Sequence, residues 1–253
     1  MTAPATYVYC IVSSSRPLQT TTVTGLPGAG HVRAVEITPG RYLIVSDAPV
    51  EAFGEASLTA KLSDLDWVSR AAVAHEAVSQ AFMAADAVVP MKLFTLFSSD
   101  TRALEQLRAG WKRVDGVIKR LTRHDEWGVR LVFDPSASLK SSAPAAPVAS
   151  GRDYLLAKRQ QNAASSQQAT EMRKVAGDVI KSLRALSRDV KKRDVTAPAE
   201  GRGRLLLDAA FLVPRGKAQR FKKSVEARAK KIAASGYALQ ITGPWPPYSF
   251  VEG

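Results

Sequence analysis

Cysteine occurs once in this chain, at Cys10, so an intrachain disulfide is excluded and the spacing of a cysteine-based zinc site is absent. The surrounding run Tyr7-Val8-Tyr9-Cys10-Ile11-Val12 makes the thiol a small buried apolar group rather than a reactive one. Histidine is almost as scarce. His75-Glu76 opens like a zinc-protease HExxH run, but Ser79 stands where the second histidine is required. Helical spacing sets His75 beside Ala71, Ala72 and Phe82, the place of a core-edge histidine. His124, followed by Asp125 and Glu126, falls at a helix-to-strand junction and reads as a turn or capping residue. His31 adjoins Gly25-Leu26-Pro27-Gly28-Ala29-Gly30, which lacks the Lys-Ser/Thr and the following helix of a phosphate cradle and reads as a loop between strands. There is no G-x-S-x-G nucleophile elbow and no carboxylate pair distinct from ordinary surface acids. The residues therefore predict no catalytic site, no metal, no cofactor and no small-molecule substrate. No window of about 18 apolar residues is present, and Met1 to Thr6 has neither a basic nor an apolar leader region, so the expected location is cytoplasmic, with no membrane partner.

Charge of one sign is what the chain has in excess. Its net charge is +13, and it is uneven: residues 1–150 carry 15 Lys+Arg against 14 Asp+Glu, whereas residues 151–253 carry 21 against 9. A cationic second half suits an acidic partner, although a solvated basic face explains many such counts. With 253 residues and 45% hydrophobic content, the chain can build two ordinary domains.

The first part reads as α+β. Tyr7–Ser13, His31–Ile37 and Arg41–Asp47 are short β-branched and aromatic runs, the last two joined by the turn signal Pro39-Gly40. Asp64 caps a helix reaching about Ala84, with Val68, Ala71, Ala72, Val78 and Phe82 at helical spacing. Val88–Phe97 follows as a fourth strand opened by Pro90. Ser99-Asp100 then caps a second helix marked by Leu104, Leu107, Trp111, Val114, Ile118 and Leu121. The predicted domains are 1–124 and 125–253. The second opens with a strand in which Val129, Leu131 and Phe133 share a face, after which residues 135–150, small and proline-rich, predict a mobile loop. A helical region over 154–193, a strand over 204–213, a helix over 217–235 and a strand over 237–242 complete it. Strand, helix, strand, helix, strand describes a ferredoxin-like module with one strand missing or altered.

On the long helix, Met172, Val175, Ala176, Val179, Ile180, Leu183, Leu186 and Val190 fall on one side at 100° per residue, and Arg173, Lys174, Lys181, Arg184, Arg188, Lys191 and Lys192 fall opposite. The next helix adds Lys217, Arg220, Lys222, Lys223, Arg228, Lys230 and Lys231 around Phe221, Val225 and Ile232. A solvated face is the default reading of this stripe, a docking face for an acidic protein the next. A basic nucleic-acid-binding regulator is the alternative function, but zinc spacing, an RNP-type aromatic strand and a KH-type loop are all missing.

The last eleven residues concentrate three prolines and three aromatics: Gly243-Pro244-Trp245-Pro246-Pro247-Tyr248-Ser249-Phe250-Val251-Glu252-Gly253. Residues 244–247 must run extended. Because the segment follows the final strand of the second domain, it is expected to fold back over that domain's sheet, with Trp245 as a buried anchor.

Several motifs together resemble the gas vesicle protein F/L family (GvpF/GvpL). They are Tyr7-Val8-Tyr9-x-Ile11-Val12 with Gly25-Leu26-Pro27-Gly28, Leu65-x-Trp67 with Ala74-His75-Glu76, Glu126-Trp127-Gly128-Val129-Arg130, Gly151-x-x-Tyr154-Leu155, and above all Thr242 through Val251. Cys10 stands where the first motif usually has glycine, and Pro90-Met91-Lys92-Leu93-Phe94-Thr95 differs from the more typical Pro-x-Arg/Lys-Phe-Gly-Thr, which leaves F-like and L-like open. The resemblance implies a non-enzymatic accessory or minor structural protein of gas vesicles, with two α/β domains, the C-terminal one a modified ferredoxin-like module. The implied partners are the hydrophobic gas vesicle shell protein and other accessory proteins. Trp127, Gly128, Tyr154, Gly243, Pro244, Trp245, Pro246, Pro247, Tyr248 and Phe250 are the motif residues, structural or in partner contact, and the basic face would meet acidic partners.

Overall fold

The computed structural model describes residues 4–19, 23–138, 151–194 and 203–252. The chain divides into two compact units, Met1–Glu126 together with Pro244–Gly253, and Trp127–Gly243. Against the expected division, residues 244–253 are grouped with the first unit.

In the first unit, strands β1 (Ala5–Ser13), β2 (Arg33–Thr38) and β3 (Arg41–Ala48) precede helices α1 (Val50–Phe53), α2 (Glu55–Lys61) and α3 (Leu65–Ala81). Strands β4 (Ala87–Pro90) and β5 (Leu96–Phe97) and helices α4 (Asp100–Ala109) and α5 (Trp111–Leu121) follow. The sheet runs β2-β3-β1-β4, with β5 also on β1, and the pairs are antiparallel. The hairpin at Pro39-Gly40 forms as the turn signal predicts, Gly40 taking φ +72. Asp64 and Ser99 cap α3 and α4, their side chains accepting from the amides of Trp67 and Arg102.

Three features depart from the periodicity reading. The register of β1 against β3 slips between Val8 and Cys10, a bulge that sets two residues of β1 against one of β3. Tyr7, Tyr9, Cys10 and Val12 consequently all join one core cluster with Ala71 and Val78 of α3, which strict alternation forbids. The predicted strand 88–97 is two strands. Between them Met91 N bonds Tyr9 O and Val8 N bonds Thr95 O, so the intervening residues leave the sheet. Phe94 takes φ +62, where the resembled motif carries glycine, and its ring stacks on Trp67 at 5.3 Å. The predicted single helix over 100–121 breaks at Gly110, which ends α4 and opens α5.

The second unit takes most of β6 (His124–Ser138), then α6 (Gly151–Arg184), β7 (Asp189–Lys192), β8 (Arg204–Pro214), a 3-10 turn (Arg215–Lys217), α7 (Ala218–Ala233) and β9 (Ser235–Trp245). The sheet order is β7-β8-β6-β9. Trp127, Val129, Leu131 and Phe133 of β6 pack with Leu207, Ala209, Phe211 and Val213 of β8 against Met172, Val179 and Leu183 of α6 and Phe221 and Val225 of α7. The helix predicted through residue 193 stops at Arg184, and Val190 instead pairs with Phe211 in a strand. Spacing could not separate the two, because Leu183, Leu186 and Val190 meet the same core in either conformation. Of the predicted loop 135–150, residues 135–138 continue β6, and 139–150 lie outside the described residues.

Candidate functional site

The proline-aromatic segment is built into the first unit. Pro244 and Trp245 close β9, an edge strand that tolerates a missing N–H. Pro246 and Pro247 are buried, and residues 248–250 turn in a 3-10 helix whose amides bond Pro246 O and Pro247 O. Phe250 is 1% exposed. The Ser249 amide and hydroxyl donate to the two oxygens of the buried Glu126 carboxylate, each at 2.8 Å. Arg120 donates to Phe250 O, and Lys92 pairs with Glu252 at 2.7 Å. Trp245 is the exception: it is 39% exposed, so the expectation of a buried tryptophan anchor over the second domain's sheet fails. The anchors are Phe250 and the Ser249–Glu126 pair.

Beneath the segment, a histidine is held neutral. Met91 O only accepts, so His75 Nε2 carries the proton in their 3.1 Å bond, and Nδ1 accepts from the Tyr7 hydroxyl at 2.8 Å. The same hydroxyl accepts from the Phe94 amide at 3.1 Å. Tyr9 Oη bonds Ser46 Oγ at 2.9 Å and accepts from Leu26 N at 3.0 Å. Burial lowers the His75 pKa and pushes the Tyr7 and Tyr248 phenols up, while the fully buried Cys10 thiol is pushed up to about 12, leaving it unreactive near neutrality. These bonds tie helix α3 to β1 and to the loop after β4, the loops to β1, and β1 to β3, a structural role. Among the described residues, no group of three or more His, Cys, Asp or Glu is placed to hold a metal ion.

This histidine sets a pH dependence. Since its folded pKa lies below the ordinary 6.5, its contribution to stability is complete above that pH. As pH falls below 6.5 the unfolded chain takes up a proton that the folded chain refuses, and stability drops by up to about 1.4 kcal/mol per pH unit. Urea unfolding between pH 7.5 and 5 should show this slope, and His75→Gln should flatten it.

Two surfaces stand out. The outward face of α3 presents Leu65, Ser69, Val73 and Ala77 in successive four-residue steps, with Leu65 79% and Val73 67% exposed and Leu62 exposed just before them. The exposed Asp66 and Arg70 share this side of the helix, so apolar and charged side chains are mixed along it. The second surface is cationic. Arg173, Lys174, Lys181 and Arg184 are exposed on α6 as predicted, but the structure separates the rest of the stripe: Arg188 lies in the turn after α6, and Lys191 and Lys192 lie in β7. The α3 stripe was missed because apolar residues at helical spacing read as core, and only exposure tells one face from the other.

The remaining motif residues lie in β6, α6 and β9. Trp127 is buried against Phe221 at 6.2 Å. A Cβ at Gly128 would stand 2.6 Å from Thr242 Oγ1, so glycine lets the two strands approach. Gly243 takes φ +112, a conformation open to glycine. Tyr154 lies in α6, and its side chain is outside the described residues.

Comparison with known proteins places these features in context. The sequence profile of the family described as "Gas vesicle synthesis protein GvpL/GvpF" matches residues 5–252. The chain is 34% identical over 254 residues to gas vesicle protein L of Streptomyces sp. (strain CB03234), covering 96% of this chain and 91% of that protein. It is 29% identical over 267 residues to gas vesicle protein F of the same strain, covering 98% and 100%. The crystal structure of GvpF from Anabaena sp. PCC7120 superposes with a TM-score of 0.72 at 19% identity, covering 99% of this chain and 97% of the other. GvpF from Microcystis aeruginosa superposes with a TM-score of 0.67 at 16% identity, covering 98% and 99%. At those identities the likeness establishes the α+β fold alone.

Proposed function

Because the chain belongs to the GvpL/GvpF gas vesicle protein family, we propose that it is a non-enzymatic accessory or minor structural protein that takes part in gas vesicle assembly by binding the hydrophobic shell protein. The observation that carries this reading is the outward face of α3, where the large apolar side chains Leu65 and Val73 are left in solvent beside Asp66 and Arg70. A monomer gains nothing from that exposure, whereas a partner with apolar surface gains by covering it. A chain that shields such a surface during nucleation of the vesicle needs no catalytic residues. Its working place is the forming vesicle in the cytoplasm, and other accessory proteins complete the partner set. In the same reading the second unit is a modified ferredoxin-like module. Its element order β6-α6-β7-β8-α7-β9 and sheet order β7-β8-β6-β9 support that assignment.

The test is co-expression with the shell protein and capture of the complex. Leu65→Asp with Val73→Asp should leave the melting temperature unchanged, since both side chains are exposed. Capture should weaken by about 3 kcal/mol, roughly a hundredfold, if both are covered in the complex. Normal vesicle formation without this chain, together with no captured complex, would end the assembly reading.

A further inference from the structure

We propose that the outward ridge of α7 is a docking surface for a carboxylate-rich segment of a partner protein, separate from the apolar face of α3. Arg220, Lys223, Lys230 and Lys231 stand on the side of the helix opposite the buried Phe221 and Val225, and all four are exposed. None of the four has a hydrogen bond or ion pair among the described residues. From residue 220 to 231 the ridge spans about 16 Å at 1.5 Å per residue.

At the N-terminal end the placement of these charges works against the helix that bears them, whereas Lys230 and Lys231 in the last turn suit its dipole. Lys217 and Arg220 sit at the N-terminal end, where the helix dipole favours anions, and the first turn holds no acidic residue. Arg220 and Lys223 are like charges three residues apart, which also destabilises a helix. Folding alone would place glutamate or aspartate there. A local charge arrangement that costs stability is accounted for when a bound anion relieves it.

The chemistry of the partner follows from the ridge's surroundings. The chain's net charge of +13 makes a second copy repulsive, so the anion comes from a different molecule. The only aromatic in α7 is the buried Phe221, so the ridge offers a nucleobase no aromatic stacking platform. Ala227 and Ala234 lie exposed along the same face, and their methyl groups admit the close approach of a polypeptide carrying Asp and Glu side chains to the flanking cations.

The experiment uses the full chain and a synthetic glutamate-rich helical peptide of about 20 residues, long enough to cover the ridge. Binding is measured by fluorescence anisotropy at two salt concentrations, beside single-stranded DNA and vesicles containing phosphatidylglycerol. The triple variant Arg220→Glu, Lys223→Glu, Lys230→Glu should weaken peptide binding at least tenfold, in a salt-dependent manner. The control triple on α6, Arg173→Glu, Lys174→Glu, Lys181→Glu, changes net charge equally and should weaken it by less than about threefold. The α7 triple should melt close to the parent temperature, because Arg220→Glu suits the dipole at the N-terminal end while Lys230→Glu opposes it in the last turn. Equal losses from the two triples would reduce the effect to overall charge and overturn the proposal. Tighter binding of DNA or vesicles through the α7 ridge would likewise overturn it, in favour of those partners.

Discussion

Ending the chain at Gly243 is expected to unfold the first unit, although every residue removed lies at the far end of the sequence. Phe250 is 1% exposed, and loss of a buried phenylalanine costs about 3–5 kcal/mol. Glu126 would keep a buried carboxylate while losing both Ser249 donors, at about 1–3 kcal/mol more. The sum rivals the whole stability of a typical domain, about 5–15 kcal/mol. Near-ultraviolet circular dichroism and urea unfolding of the truncated chain should show the loss. Phe250→Ala alone should reproduce most of it, and Trp245→Ala, at a half-exposed ring, should shift stability by about 1 kcal/mol or less. A truncated first unit that unfolds like the parent would show that the segment is an attachment and not part of the core.

Tyr7→Phe is expected to cost about 2–4 kcal/mol although it removes one oxygen. That hydroxyl serves two buried partners, donating to His75 Nδ1 and accepting from the Phe94 amide, and phenylalanine leaves both unpaired. The second partner matters doubly, because Phe94 holds a left-handed φ of +62 that an unbonded loop would relax. The urea midpoint should fall with an unchanged slope. Parent-like unfolding in this variant would mean that the hydroxyl bonds are replaceable.

Much of the local structure was legible. Asp64 and Ser99 were identified as caps from residue type and position, and both accept the expected amide bond. The apolar side of α6 was correct residue by residue, including Val190, whose own secondary structure was not. That contrast is instructive: amphipathic spacing reports which side chains are covered more securely than which backbone covers them. The short helices α1 and α2 escaped because four and seven residues are too few to establish a period. The bulge after Val8 left no mark in composition, yet it brings Tyr9 and Cys10 to the same core as Tyr7.

The sequence by itself determined the family, the two-part α+β character and the cationic second half. Each of these depends on residue identity or on neighbours within a few turns. Only the tertiary structure decided where the closing segment lies, that its anchors are Phe250 and Ser249 rather than Trp245, and which apolar residues of α3 remain in solvent. Ser249 and Glu126 are 123 residues apart, and neither carries a local signal for the other. A contact of that span is selected by the free energy of the assembled core, which no window of sequence contains.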